Sequence, residues 1–117
     1  MLNLGHKKLE AWKYAMKLAK EIYSTTEGFP RSEGYGLTTQ LRRAAVSVPS
    51  NIAEGASRSS SNDRRRFYEI ARSSLVELDT QLEISRDLGY VGECHVPVLE
   101  VQLNSTFALL SKLIDRT

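Results

Sequence analysis

Apolar residues recur at steps of three and four in four separate stretches, and short polar segments rich in glycine, proline or serine divide them. Leu9, Trp12, Met16, Ala19 and Tyr23 mark one face of a helix from about Lys7 to Thr25. Gly28 and Pro30 stop it, since glycine caps a helix and proline cannot continue its hydrogen-bond ladder. Leu37, Leu41, Ala44, Val48 and Ile52 predict a second helix ending near Gly55. Pro49 lies inside it without an amide donor, so a kink between Ala45 and Pro49 is expected. The alternative is two short helices, the second capped by Ser47. A third helix starts at a cap supplied by Ser60, Ser61 or Asn62, with Asp63 in its first turn. Phe67, Ala71, Leu75, Leu78, Leu82 and Ser85 carry it to about Leu88, and Gly89 ends it. At 1.5 Å per residue it is about 40 Å long, which sets the height of the molecule. Pro97 suits the first turn of a fourth helix whose inner face is Leu99, Leu103, Phe107, Leu110 and Ile114. No stretch alternates at period two for long enough to predict a strand.

Four amphipathic helices on short connections predict an all-α, antiparallel up-down-up-down four-helix bundle with a kinked second helix. A length of 117 residues fits one domain over 1–117 with a genuine core. Hydrophobic content of 41% and charged content of 26% argue against disorder. One cysteine, Cys94, excludes an internal disulfide framework and suits a reducing, cytoplasmic setting. The segment MLNLGHKKLEAW carries no apolar run of signal-peptide length, and no stretch approaches the roughly 20 apolar residues of a membrane span.

Net charge is +2, but its distribution is uneven. Five lysines face two glutamates from Lys7 to Glu21, and seven arginines face three acidic residues from Arg42 to Arg72. From Ser73 to Thr117 three basic residues face seven acidic ones. One basic surface able to meet polyanions, and one acidic surface able to meet basic partners, are therefore expected.

Three segments are distinctive: LEAWKYAMKLAKEIY, LTTQLRRAAVSVPSNIAEG and FYEIARSSLVELDTQLEISRDLGY. In order and spacing they resemble the four-helix-bundle family of 23S ribosomal RNA intervening-sequence proteins, over nearly the whole chain. Members are small bacterial proteins, some encoded inside insertions that interrupt 23S ribosomal RNA genes. The resemblance implies a homopentameric ring of four-helix bundles. A related branch comprises accessory proteins of diversity-generating retroelements, which bind nucleic acid and a reverse transcriptase.

Arg64, Arg65 and Arg66 open the third helix and Arg58 lies in the turn before it. Three successive helical positions fan over roughly 200°, so they cannot all touch one phosphate. With Arg42, Arg43 and Arg72 they are expected to form a basic strip for several phosphates of RNA or DNA. Arginine opposes the dipole at a helix N-terminus, a mild cost that favours a functional reading over a purely structural one. Lys13, Lys17 and Lys20 share a second basic face on the first helix. Glu54 stands among Ala53, Gly55 and Ala56, where backbones can approach closely. A buried carboxylate needs a partner, so an ion pair with Arg72 or Arg43, joined by Asn51, is expected to orient the second and third helices.

The inventory argues against catalysis. His6 and His95 are the only imidazoles, no Glu-x-x-His pair for a di-iron centre exists, and one cysteine cannot build a zinc site. No P-loop glycine pattern occurs. The expectation is a non-catalytic oligomeric nucleic-acid-binding module without cofactor or metal. The alternative is a protein-interaction scaffold or an accessory subunit of a nucleic-acid enzyme such as a reverse transcriptase. Ile22, Val46, Val76, Ile84, Val98 and Leu109 lie off the main seams and are candidates for a subunit contact.

Overall fold

A computed structural model describes residues 1–117 and contains four helices: α1 (Glu10–Thr26), α2 (Leu37–Ala56), α3 (Ser61–Asp87) and α4 (Val96–Arg116). Short 3-10 turns at Gly5–Lys8, Arg31–Glu33 and Glu93–His95 precede α1, α2 and α4. Each helix packs on its neighbours in sequence, and α4 closes back on α1, so the four form an antiparallel bundle without strands. The particle measures 43 × 24 × 24 Å, its long axis set by the 27 residues of α3.

The helix boundaries follow local chemistry. Leu9 is extended (φ −71°, ψ 128°), which separates the Gly5–Lys8 turn from α1 and moves the start of that helix from the expected Lys7 to Glu10. Ser60 is the N-cap of α3, its Oγ accepting from the Asp63 amide at 3.1 Å. Gly89 adopts φ 79°, a left-handed conformation that lets the chain leave α3 without strain. α2 runs through Pro49 as one element, so the two-helix alternative is excluded. Because Pro49 has no amide hydrogen, the Ala45 carbonyl loses its usual donor four residues on.

The core is one cluster fed by all four helices, with Leu18, Ile22, Leu41, Val48, Ile52, Leu78 and Leu110 fully buried. Burying such a side chain contributes about 1.5–3 kcal/mol, so this cluster dominates the stability. Three inner faces differ from the sequence expectation; in α3 the buried aromatic is Tyr68, while the expected Phe67 is half-buried. In α1 the buried positions are Ala11, Ala15, Leu18, Ile22, Thr25 and Thr26, while Trp12 and Met16 are half-buried and Tyr23 is exposed. The small alanines turn inward and bring the α1 backbone close to its neighbours, leaving the bulky stripe on the edge facing α2. In α4, Thr106 takes the fully buried position and Phe107 is 43% exposed. The Thr106 hydroxyl is satisfied by donating to the Gln102 carbonyl at 2.6 Å, which makes its burial affordable.

α2 and α3 form the most extensive contact of the bundle. Gly55 lies against Tyr68 and Phe67, where even a single added carbon would meet the Tyr68 ring at 2.8 Å. One helical turn pair further up, Ser47 Oγ and Ser74 Oγ are hydrogen-bonded at 2.9 Å, and Asn51 Nδ2 donates to Ser47 Oγ at 2.9 Å and to its carbonyl at 2.8 Å. The polar tie between these helices is therefore Ser47–Ser74 with Asn51. Glu54 is not part of it: its carboxylate is half exposed and pairs with Arg58 Nη2 at 3.6 Å. The expected ion pair to Arg72 or Arg43 does not form, because Glu54 points to the outer side of α2 and finds Arg58 one turn along.

Candidate nucleic-acid interface

The antiparallel topology sorts charge by height. The starts of α1 and α3 and the ends of α2 and α4 share one end of the bundle, fastened where Ser61 Oγ donates to the Thr117 carbonyl at 2.6 Å. In the half nearest that end (residues 1–13, 54–72 and 108–117) ten Lys and Arg side chains face five Asp and Glu. In the opposite half (residues 21–43 and 77–100) four basic residues face nine acidic ones. The near-neutral chain is thus a strongly polar object, basic at one end and acidic at the other.

The basic end assembles groups from four chain segments. Lys7 and Lys8 come from the first 3-10 turn, which packs by Gly5, His6 and Leu9 against Ala56, Ser57 and Tyr68. Arg58 is in the α2–α3 turn, Arg64, Arg65 and Arg66 are in the first turns of α3, and Lys112 and Arg116 close α4. Lys112 and Arg116 were not singled out from sequence, because only the return of α4 to this end brings them here.

The arginines at this end do different things. Arg64 is half-buried, and its Nη1 donates to the carbonyls of Ser59 at 2.9 Å and Arg58 at 3.2 Å. It therefore fixes the turn by satisfying carbonyls past the α2 terminus. Arg58 and Arg66 both lie over the Phe67 ring, at 4.7 and 4.8 Å from its centroid. Such contacts hold a guanidinium by about 0.5–1 kcal/mol at exposed sites, enough to orient it but too little to retain it against a phosphate. Arg65 is exposed and makes no ion pair or hydrogen bond. Burial holds the Tyr68 hydroxyl above the ordinary tyrosine range, and the nearby Arg64 charge partly opposes that shift.

The other three expected arginines lie elsewhere. Arg42 is clamped to the end of α1, donating from Nε to Thr26 Oγ1 at 2.9 Å and from Nη2 to the Tyr23 carbonyl at 3.4 Å, with the Tyr23 ring 4.5 Å away. Arg43 is exposed beside it. Fifteen residues of helix separate Arg43 from Arg58, about 22 Å, so the two cannot belong to one local strip. Arg72 turns toward α4, donating from Nη1 to Ser111 Oγ at 3.2 Å. The expected seven-arginine strip resolves into the Arg58–Arg66 cluster, an Arg42–Arg43 pair near the other end, and a lone interhelical arginine. No group of three or more His, Cys, Asp or Glu side chains is placed to hold a metal ion. No helix is long and apolar enough to cross a membrane.

A search of curated proteins finds no match to this sequence. The family model described as 23S rRNA-intervening sequence protein matches residues 7–112, spanning all of α1, α2 and α3 and most of α4. With nine-tenths of its length covered, the chain belongs to the 23S rRNA-intervening sequence protein family.

Proposed function

We propose that this protein is a non-catalytic, self-associating nucleic-acid-binding module that docks its basic end on the phosphate backbone of RNA or DNA. The observation that carries the reading is the gathering of basic side chains from four chain segments onto one end, with a matching depletion of acids there. A family described by a ribosomal RNA insertion supports a nucleic-acid partner. Arg65 is the side chain freest to contact phosphate, with Arg58 and Arg66 oriented beside it on Phe67. Arg64 holds the turn from which they project. Nothing in this surface reads base edges, so binding is expected to be weakly sequence-specific.

Titration of a structured RNA and of duplex DNA against salt tests the proposal. Affinity should fall steeply with salt, each neutralised phosphate adding about 0.9 to the slope on duplex DNA. Replacing Arg65 and Arg66 together with alanine should lower that slope by about 1–2 and weaken both ligands alike. Absence of binding to either ligand at low salt refutes the function. An unchanged slope in the double variant moves the contact away from this end.

A further inference from the structure

The basic end holds a small hollow that phosphate contact leaves unused. Its volume is about 270 Å³, and it lies where the first 3-10 turn meets the end of α2 and the first turns of α3. Leu4, Leu9 and Ala56 give it apolar walls, while His6, Ser57 and Tyr68 bring one polar group each. An apolar hollow with a few convergent polar groups is the usual form of a ligand site. This one is smaller than the roughly 300–1,000 Å³ of pockets for drug-sized molecules, so it suits a single ring system. Lys7 Nζ donates to the Leu2 carbonyl, which ties the segment carrying Leu4 to the turn.

Tyr68 is the unusual member. The residue is 3% exposed, and its hydroxyl makes no hydrogen bond within the chain, although the oxygen is not sealed from solvent. Buried polar groups are normally paired, because an unpaired one forfeits its hydration without return. A helical side chain leans toward the start of its helix, which for α3 is the basic end. Arg64, one turn earlier, is near enough for its charge to act on this hydroxyl. The other two polar groups also have capacity to spare. Ser57 Oγ donates to the Glu54 carbonyl at 2.7 Å, which leaves its lone pairs free to accept. His6 stands edge-on to Trp12, the ring centroids 5.3 Å apart, and both its nitrogens are free for a ligand.

The border of the hollow is cationic. Lys7 and Lys8 follow His6 in the same turn, Arg58 follows Ser57, and no acidic residue lines the walls. A matching ligand has a planar ring with apolar faces, hydrogen-bonding groups on the ring edge, and negative charge close by. We infer that the hollow receives one unpaired nucleobase of a single-stranded nucleic acid, its edge meeting the Tyr68 hydroxyl while the flanking phosphates meet Lys8 and Arg58. The inference rests on the phosphate-backbone reading above and deepens it by naming the form of nucleic acid. A strand or loop can splay a base into such a site, whereas a duplex keeps its bases stacked and paired. Hydroxyls can donate or accept, and imidazole offers both kinds of site, so the hollow selects an unpaired base without fixing which base.

Three probes at one low salt concentration test the site: an unstructured single-stranded oligonucleotide, an abasic strand of the same length and charge, and a blunt-ended duplex. Trp12 is the only tryptophan of the chain and lies against His6, so its fluorescence reports on the hollow. The normal strand should quench that fluorescence and bind about tenfold more tightly than the abasic strand, which should leave it unchanged. Tyr68→Phe keeps the ring that packs on Gly55 and removes only the hydroxyl. It should weaken single-strand binding roughly three- to tenfold and leave duplex binding as in the wild type. Ala56→Leu fills the hollow and should abolish the preference for the normal over the abasic strand. Circular dichroism checks that both variants fold, and Tyr68→Phe carries the test should Ala56→Leu unfold. Failure of all three probes to bind overturns the nucleic-acid reading as well as the site. Duplex binding together with equal affinity for normal and abasic strands, or a folded Tyr68→Phe that holds the single strand as tightly as wild type, overturns the site alone.

Discussion

Substituting Gly55 with alanine sets two well-characterised effects against each other at the place where α2 packs against Phe67 and Tyr68 of α3. Alanine is favoured over glycine by about 1 kcal/mol in a helix interior, an upper bound at Gly55, the penultimate residue of α2, so propensity alone predicts stabilisation of at most that size. The packing opposes it. The new methyl would lie 2.8 and 2.9 Å from Tyr68 Cε1 and Cδ1 and 3.0 Å from Phe67 Cβ. Phe67 Cβ is tied to the α3 backbone and cannot swing away, and the Tyr68 ring is only 3% exposed. Relief therefore requires α2 and α3 to separate, and such overpacking costs about 1–3 kcal/mol. Part of that strain is relaxed by small shifts, but a contact closer than 3 Å to a wedged ring puts the cost in the upper part of the range. The expected net loss is about 1–2 kcal/mol. With a urea m-value of about 1–3 kcal/mol/M, the midpoint should fall by roughly half to one molar at fixed protein concentration. Gly28→Ala is the control: that position has open space, no left-handed φ, and should be neutral or stabilising by a few tenths to about 1 kcal/mol. A Gly55→Ala midpoint equal to or above wild type would refute the argument that close approach outweighs propensity here.

Two further outcomes test particular contacts. Glu54→Gln and Arg72→Met should be additive within about 0.5 kcal/mol, because Glu54 pairs with Arg58 while Arg72 bonds Ser111; larger coupling in the double-mutant cycle would show that the two interact after all. The raised Tyr68 hydroxyl gives a pH signature: the folded chain holds this proton more tightly than the unfolded chain, whose value is near 10.0, so its stability is intact below pH 10 and is lost as pH climbs through the raised folded value. Tyr68→Phe should make the alkaline fall in denaturation midpoint shallower, and an unchanged alkaline limb would count against burial as the cause.

Periodicity located all four helices because long apolar repeats leave few alternatives, and Ser60, Gly89 and Pro97 mark their ends by chemistry that acts within a few residues. It was less informative about rotation. In α1 the apolar arc is wide, and counting large side chains selects Trp12 and Met16 over Ala11 and Ala15. Helix packing selects the reverse, since close backbones need small residues and a tryptophan fits better at an edge. Glu54 departs from its expected role for a related reason. Small neighbours implied burial, yet its position on the turn of the helix points outward, and Arg58 is the nearest cation at four residues' spacing. Ser47 and Ser74, which do join α2 to α3, are 27 residues apart and offer no local sign of pairing. Arg42 illustrates the limit of reading charge as function, because Thr26 and the Tyr23 carbonyl already hold its Nε and one Nη2 hydrogen and clamp it to α1. Conversely, Lys112 and Arg116 join the basic end only through the direction in which α4 returns.

The axial separation of charge bears on how the proposed self-association would proceed. A bundle basic at one pole and acidic at the other could associate pole to pole, burying both charged ends and producing filaments. Charges at those poles are solvent-exposed and screened over about 8 Å at physiological salt, and exposed ion pairs contribute about 0–1 kcal/mol each. The sides of the bundle instead carry exposed apolar residues such as Val46 and Val76, and apolar surface is worth about 25 cal/mol for each Å² removed from water and is insensitive to screening. On these magnitudes the proposed self-association would proceed side by side, leaving the basic poles uncovered. Like charges from adjacent molecules would then stand next to each other and lower the stability of such an assembly at low salt. A polyanion laid across that face would relieve the repulsion. Under the proposed function, binding and assembly would therefore be linked: tighter phosphate contact at the Arg58–Arg66 cluster would favour the joined state, and the joined state would multiply each weak phosphate contact through a high effective concentration.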